Sequence, residues 1–525
     1  MSGNLRRGYG RPLLVLRSVL DRAPNICKMR RHLKTLCLWL LLLCLSITLF
    51  NNAARKPFWF DEIVTLRIAQ CHLGPEMWHA NTVGFDLTPP AIFVATRLSE
   101  MAFGRGPIPS RLPSILSGLV VLFCVFHVSS RMGGAAAGFA ALFLLSASEE
   151  FWYFTEARAY ALMMAGVMVA WVSWQRRVAN ASPRSLQLLG IFLGLAIALA
   201  SHMWAVVVPA CFVASAIARR LSTKVLDVAA LATMIAPSLV ALSYLPLVAV
   251  ARRIQFGGLL YTAYLGVAYK TTMNNMPYIL LACAVVFVVR MSFFPTTPVS
   301  GSSQPKNGLS LEDIVLALSL VLSPVVICTI TRLMHSAFMD RYVLVAVLGL
   351  TVLVAQTFSF FARKARNTCY ALLFVLGLGV SAYSIGSITR DWHVQHPLGP
   401  ELSLISQVAG SNEPVVYGSG VSFLQEDYYA TPEMATRLVF VADRELAKRI
   451  IGTDGLDSTF TLGREYLSLR GRIVSYKELQ STYRSFWLID STNPLNWISE
   501  KLRADGADIR ALNIPDTRIS HVTLR

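Results

Sequence analysis

The chain has 525 residues, of which 54% are hydrophobic and only 15% charged; in water such a composition would expose more apolar surface than a soluble globule tolerates. Its formal charge of +18 sits largely in short basic flanks beside apolar runs, a signature of membrane topology rather than of nucleic-acid binding. A soluble enzyme and a nucleic-acid partner are therefore set aside, and the lack of apolar alternation argues against a β-barrel.

Residues 1–34 are a basic tail that reads as cytoplasmic. Apolar runs then recur near 35–50, 112–128, 133–148, 158–174, 186–201, 203–218, 225–250, 278–293, 313–330, 342–359 and 368–386, which predicts about eleven transmembrane helices. The first run is read as an uncleaved anchor rather than a signal peptide, because the basic region before it is long. Basic clusters at Arg6 to Lys34, Arg131, Arg176-Arg177, Arg219-Arg220-Lys224 and Arg363-Lys364-Arg366 fall on one side if every run crosses. The loops at 51–111, 251–277 and 331–341 and the tail from 387 then lie outside, as expected of an inner-membrane, multi-pass protein. Of the nine cysteines only Cys71 falls well inside an outer loop, and no CxxC occurs, which argues against a disulfide framework or a structural zinc site.

The first outer loop, 51–111, holds the adjacent carboxylates Asp61 and Glu62. Apolar residues at Ile63, Leu66 and Ala69 predict a helix over 61–70 lying on the membrane surface. Asp61 and Glu62 would open it, and at that position a cap and a catalytic carboxylate are both open readings. Asp86-Leu87-Thr88-Pro89-Pro90 then reads as a rigid turn that starts a second interfacial helix.

At the outer edge of the fourth run stands Glu156-Ala157-Arg158-Ala159-Tyr160. Charges beside an apolar run are costly unless they face protein or a water-filled cavity, so Glu156 and Arg158 read either as a salt bridge between helices or as part of a site. His202 at the end of the fifth run and Asp340-Arg341-Tyr342 at the start of the tenth add polar groups on the same side. Several outer helix ends thus point to one candidate cavity. A polar stretch at 292–310 reads as a flexible cytoplasmic loop.

Residues 387–525 change character. β-like runs at Val415 to Tyr417, Leu438 to Val441 and Phe486 to Ile489 alternate with helical stretches near 399–409, 443–451 and 494–504, predicting a small α/β domain outside the membrane. Gly418-Ser419-Gly420 follows a strand but lacks the rest of a dinucleotide fingerprint and reads as a plain turn. Three regions are expected: the tail 1–34, a transmembrane catalytic domain 35–386 with its loop 51–111, and the outer α/β domain 387–525.

In order and topological side, Asp61-Glu62, Asp86 to Pro90, Glu156 to Tyr160, Ser201-His202 and Asp340-Arg341-Tyr342 resemble the GT-C glycosyltransferases of family 39. That family includes protein O-mannosyltransferases, lipid A aminoarabinose transferases and bacterial sugar transferases that modify lipopolysaccharide. The likeness spans 35 to about 360. Thr88 stands before the prolines where the family often has His, so acceptor identity does not carry over.

The resemblance implies transfer of a sugar from a polyprenyl-phosphate donor to a glycolipid, polysaccharide or protein acceptor at the outer face. Asp61 would be the general base and Glu62 an orienting or second carboxylate; Arg158, Arg341 and, more weakly, Lys270 would hold the donor phosphate. Asp86, Glu156, Tyr160, His202 and Tyr342 are candidate pocket residues. The reaction requires no cofactor, although a divalent metal is compatible with it. The competing readings are a transporter or flippase, in which buried charges mark a transport path, and a noncatalytic envelope scaffold.

Overall fold

The computed structural model describes residues 24–253, 310–333, 339–389 and 413–525, together with Ile405, with breaks at 87, 180–182, 491–495 and 513–517. Lys270, the run at 278–293, most of the loops at 251–277 and 292–310, and the helical stretch near 399–409 except Ile405 lie outside the described residues.

The membrane part is helical throughout. Its elements are α1 (Pro24–Arg55), α2 (Phe60–Gln70), α3 (Pro75–Ala80), α4 (Ala91–Phe103), α5 (Pro107–Gly133), α6 (Ala135–Ser146) and α7 (Tyr160–Val178). They continue with α8 (Arg184–Ser201), α9 (Val208–Thr223), α10 (Val228–Ile235), α11 (Leu245–Arg253), α12 (Leu311–Leu333), α13 (Val345–Lys364) and α14 (Arg366–Thr389). Short 3-10 turns precede α7, α9, α11 and α13.

Every predicted run within the described residues is occupied by helix. Among the described residues, six helical segments have the length and apolarity of a span, and a seventh arises if the 3-10 turn Glu149–Thr155 and α7, bent by 106°, form one broken span. The predicted crossing at 133–148 is made by a short helix. Gly134, at φ +81°, ends α5 and leaves α6 12 residues, about 18 Å of helix; the 3-10 turn Glu149–Thr155 carries the chain on to Ala157, which meets Glu62 beside Arg111 at the opposite end of α5.

Close helix packing draws on small residues, as expected where lipid competes for apolar surface. On α7 and α8, Gly166 and Gly194 face one another; a Cβ on either would lie 2.4–2.5 Å from the other's carbonyl oxygen. From the buried side of α7, the Trp171 indole N–H donates to Asp313 of α12 at 2.9 Å and that of Trp174 to Ser215 of α9 at 2.9 Å.

The C-terminal part is a six-stranded sheet in the order β3-β2-β1-β4-β6-β5, formed by β1 (Val415–Tyr417), β2 (Leu438–Val441), β3 (Arg472–Val474), β4 (Ser485–Ile489), β5 (Asp508–Ala511) and β6 (Ile519–Thr523). The first four strands are parallel and the last two add antiparallel. β1 and β2 are buried at every residue, as continuous apolar strands in a sheet covered on both faces must be. The Gly418-Ser419-Gly420 turn leads into α15 (Gly420–Tyr429), and a Cβ on Gly418 would lie 2.8 Å from the Asn496 side chain.

One contact between the two parts overturns an expectation. α2 does not lie on a surface: Glu62 through Leu66, Ile68 and Ala69 are all buried. The apolar residues of α2 share a core with Tyr417, Phe423 and Phe460 of the sheet domain. The repeat in the sequence measured burial correctly but not the covering layer, which comes from the far end of the chain.

Candidate active site

The two adjacent carboxylates part company in the structure. The N-cap of α2 is Trp59, so Asp61 stands inside the first turn and is not the cap. It is Glu62 that meets the helix start, accepting the Trp59 amide N–H at 3.4 Å. Glu62 also accepts from Arg111 Nε at 2.7 Å and Nη2 at 2.8 Å, and from the Ala157 amide at 2.8 Å. Its side chain and that of Arg111 are 0% exposed. Arg111 spends its remaining donors on the carbonyls of Ala53, Lys56 and Pro57, at 2.6, 2.6 and 3.1 Å. All five guanidinium N–H groups thus have an acceptor, the full complement of the side chain. This fork ties the end of α1 and the start of α2 to the N-terminal part of α5.

Asp61 faces the other way, toward a cluster of charge. Its Oδ2 lies 2.9 Å from Arg341 Nη2 and 3.9 Å from Arg158 Nη2. Arg158 grips Asp86 with both terminal nitrogens, at 2.6 and 3.1 Å, and reaches Thr65 Oγ1 at 3.0 Å and the Asp61 carbonyl at 3.2 Å. Bidentate guanidinium–carboxylate pairs fix orientation as well as charge. Two carboxylates and two guanidiniums therefore alternate in a neutral quartet, drawn from four separate stretches of chain.

Thr88, the departure from the family pattern, has a local task. Its hydroxyl donates to Asp86 Oδ1 at 3.0 Å, and its carbonyl accepts from Asn81 Nδ2 at 2.6 Å, so the double-proline turn aims the Asp86 carboxylate at Arg158.

An aromatic wall borders the quartet. The Arg341 guanidinium lies over Trp59 at 5.4 Å and that of Arg158 over Tyr160 at 5.9 Å, distances suited to cation–π attraction. Tyr160, His202 and Tyr342 continue the wall with ring centroids 5.6 and 5.5 Å apart. Burial, with the nearby Arg158 and Arg341 charges, pushes the His202 imidazole down to about 3. It is neutral at physiological pH, and its Nδ1 accepts the Trp204 amide at 3.3 Å.

Glu156 stands slightly apart, paired to Lys56 Nζ at 2.5 Å. Among the predicted site residues that are described, Asp61, Asp86, Arg158, Tyr160, His202, Arg341 and Tyr342 converge; Glu62 and Glu156 flank them in ion pairs of their own. Sequence reasoning missed Arg111, Thr65, Trp59 and Lys56. Arg111 was within reach, because the rule that flagged Arg158, a charge beside an apolar run, applies equally to it. Among the described residues no three His, Cys, Asp or Glu side chains gather as a metal-holding group.

Residues 88–244 match the family model described as dolichyl-phosphate-mannose-protein mannosyltransferase. That match takes in Arg158, Tyr160 and His202 but stops short of Asp61 on one side and Arg341 on the other. No curated protein matches the sequence. Among solved structures the chain is similar to ArnT from Cupriavidus metallidurans in its apo state, at 12% identity and a TM-score of 0.53, covering 92% of this chain and 97% of that one. It is also similar to the same protein bound to undecaprenyl phosphate, at 13% identity and a TM-score of 0.51, covering 93% and 97%. In its fold, sheet domain included, the chain is thus of the GT-C class.

Proposed function

We propose that the protein transfers a sugar from a polyprenyl-phosphate donor to an envelope acceptor, with Asp61 as general base and Arg341 and Arg158 holding the phosphate. The observation that carries this reading is the Asp61–Arg341 pair set beside the Arg158–Asp86 pair. It puts a candidate base within ion-pair distance of the cations that would receive the leaving group. The family match and the undecaprenyl phosphate bound by a protein of the same fold support the choice of donor.

The charge balance favours the assignment. As the acceptor oxygen bonds to the anomeric carbon, the carbon–phosphate oxygen bond breaks and its electron pair leaves with the phosphate, while the acceptor proton passes to Asp61. The phosphate gains about one negative charge just as Asp61 loses one, so the quartet and substrate keep a constant total. Negative charge moves from the carboxylate toward Arg341, and preorganised cations stabilise such a shift most where water is scarce. Attack from the side opposite the leaving group inverts the anomeric centre.

In the membrane, the basic tail 1–34 then lies in the cytoplasm, 35–386 forms the transferase domain, and 387–525 sits over the site on the outer face. Comparing envelope glycolipids and glycans by mass, with and without the protein, tests the function. The expected result is loss of a sugar-sized mass increment in its absence; identical profiles would sink the proposal.

The phosphate partners give a second expected result. Arg341→Ala should weaken binding of undecaprenyl phosphate, measured in lipid nanodiscs, by at least about tenfold, the scale of a lost charge-assisted hydrogen bond. Arg341→Lys should recover only part of it, lacking the planar fork. Arg158→Ala is the less clean test, because it also strands the nearly buried Asp86. Wild-type affinity in Arg341→Ala would remove that residue from the site.

A further inference from the structure

Helix α2 is held between two bodies. On one side, Asp61 and Thr65 meet Arg158 and Arg341. On the opposite side stands the end of α15, with the neighbouring tyrosines Tyr428 and Tyr429. The Phe58 amide N–H donates to the Tyr429 hydroxyl at 2.5 Å. The Phe58 ring meets Tyr428 edge-on at 5.9 Å and 83° and carries the Arg111 guanidinium 4.4 Å from its centroid. Arg67, farther along α2, lies over Tyr428 at 5.4 Å.

The tyrosines are themselves fixed. Asp427, fully buried just before them, accepts the backbone N–H groups of Arg470 and Gly471 at 3.0 and 2.6 Å. Those bonds pin the end of α15 to the strand that follows, β3. Phe58 is followed directly by Trp59, whose ring lies against Arg341, and two residues later comes Asp61. A hydrogen bond to the Phe58 peptide therefore sets the direction from which Trp59 and Asp61 approach the quartet.

We propose that the C-terminal domain is part of the active-site scaffold and that Tyr429 is a positioning residue. Its hydroxyl fixes the Phe58 peptide so that Trp59 backs Arg341 and Asp61 stays in register with the phosphate site. This rests on the donor-phosphate reading given above for its consequence, though not for its geometry. The domain thereby acts on the donor half of the reaction as well as covering the site.

The experiment combines two readouts on full-length protein in nanodiscs: hydrogen–deuterium exchange of the peptide spanning 57–62, and affinity for undecaprenyl phosphate. Tyr429→Phe removes one oxygen and keeps the ring. It should raise exchange at 57–62 and weaken phosphate binding about fivefold, the scale of one lost hydrogen bond. Tyr466→Phe serves as the control: Tyr466 lies on the same face of the domain against His79, 5.9 Å away, and both readouts should stay at wild-type values.

Unchanged exchange in Tyr429→Phe overturns the proposal, and so does raised exchange with unchanged phosphate affinity. If the wild type itself binds no undecaprenyl phosphate, the donor reading fails, and the exchange comparison alone then decides the positioning claim. Should Tyr429→Phe not accumulate, Tyr428→Leu, which removes the ring under Phe58 and Arg67, is expected to produce the same two changes and is judged by the same criteria.

Discussion

Asp61→Asn is expected to lower sugar transfer by about a hundredfold or more, the scale of losing a general base, while the protein still folds. Asn keeps the size and one acceptor oxygen but takes no proton from an attacking hydroxyl. The fold survives because Asp61 does not cap α2; the N-cap is Trp59, and the helix start is served by Glu62. Removing the charge also frees Arg341 from its 2.9 Å partner, which gives the variant a second signature. Affinity for undecaprenyl phosphate should hold or rise while transfer falls. The rate of appearance of the sugar-modified envelope product, set beside phosphate binding, reads both. Near-normal transfer would show that the base lies elsewhere, and a parallel loss of phosphate binding would place Asp61 in donor binding instead.

The charged members of the site were legible in the sequence on two grounds. Arg158 stands beside an apolar run, where an uncompensated charge is expensive, so its presence alone pointed inward; Asp61, Asp86 and Arg341 came in through their order, their common side and the family resemblance they carry. Their pairing was not legible. Which of Asp61 and Glu62 is free to react depends on Arg111, 49 residues beyond Glu62, and nothing in the local pattern links the two. The same limit applies more strongly to Tyr429, 371 residues from Phe58. Strands such as Val415–Tyr417 and Leu438–Val441 were visible because burial on both faces leaves a continuous apolar run. β3, β5 and β6 escaped because they are short or half polar: Arg472–Val474 has three residues, and Asp508–Ala511 is exposed along half its length. The length of α6 was not legible either: hydropathy reports an apolar run but not the positive-φ Gly134 before which α5 ends and after which α6 begins.

Glu62→Gln should do the reverse of Asp61→Asn. The Glu62–Arg111 pair is fully enclosed, and breaking one half of such a pair leaves the other charge without compensation, at a cost of about 3–5 kcal/mol. Gln still accepts at one oxygen but turns its amide N–H₂ toward Arg111 Nη2 or the Ala157 amide, donor against donor. The loss should appear as a lower thermal midpoint of the purified protein, and activity should fall only in proportion to the protein that remains folded. Replacing both partners, with Glu62→Leu and Arg111→Met, removes the buried charges together but orphans the carbonyls of Ala53, Lys56 and Pro57 that Arg111 now serves. Stability should therefore return only in part, whereas an ion pair with no further partners could be exchanged for apolar contact almost without loss. A Glu62→Gln protein as stable as wild type but inactive would turn the assignment around, making Glu62 a reacting carboxylate in its own right. A stability loss confined to Glu62, with a rate loss confined to Asp61, would separate the anchor from the base within one turn of helix.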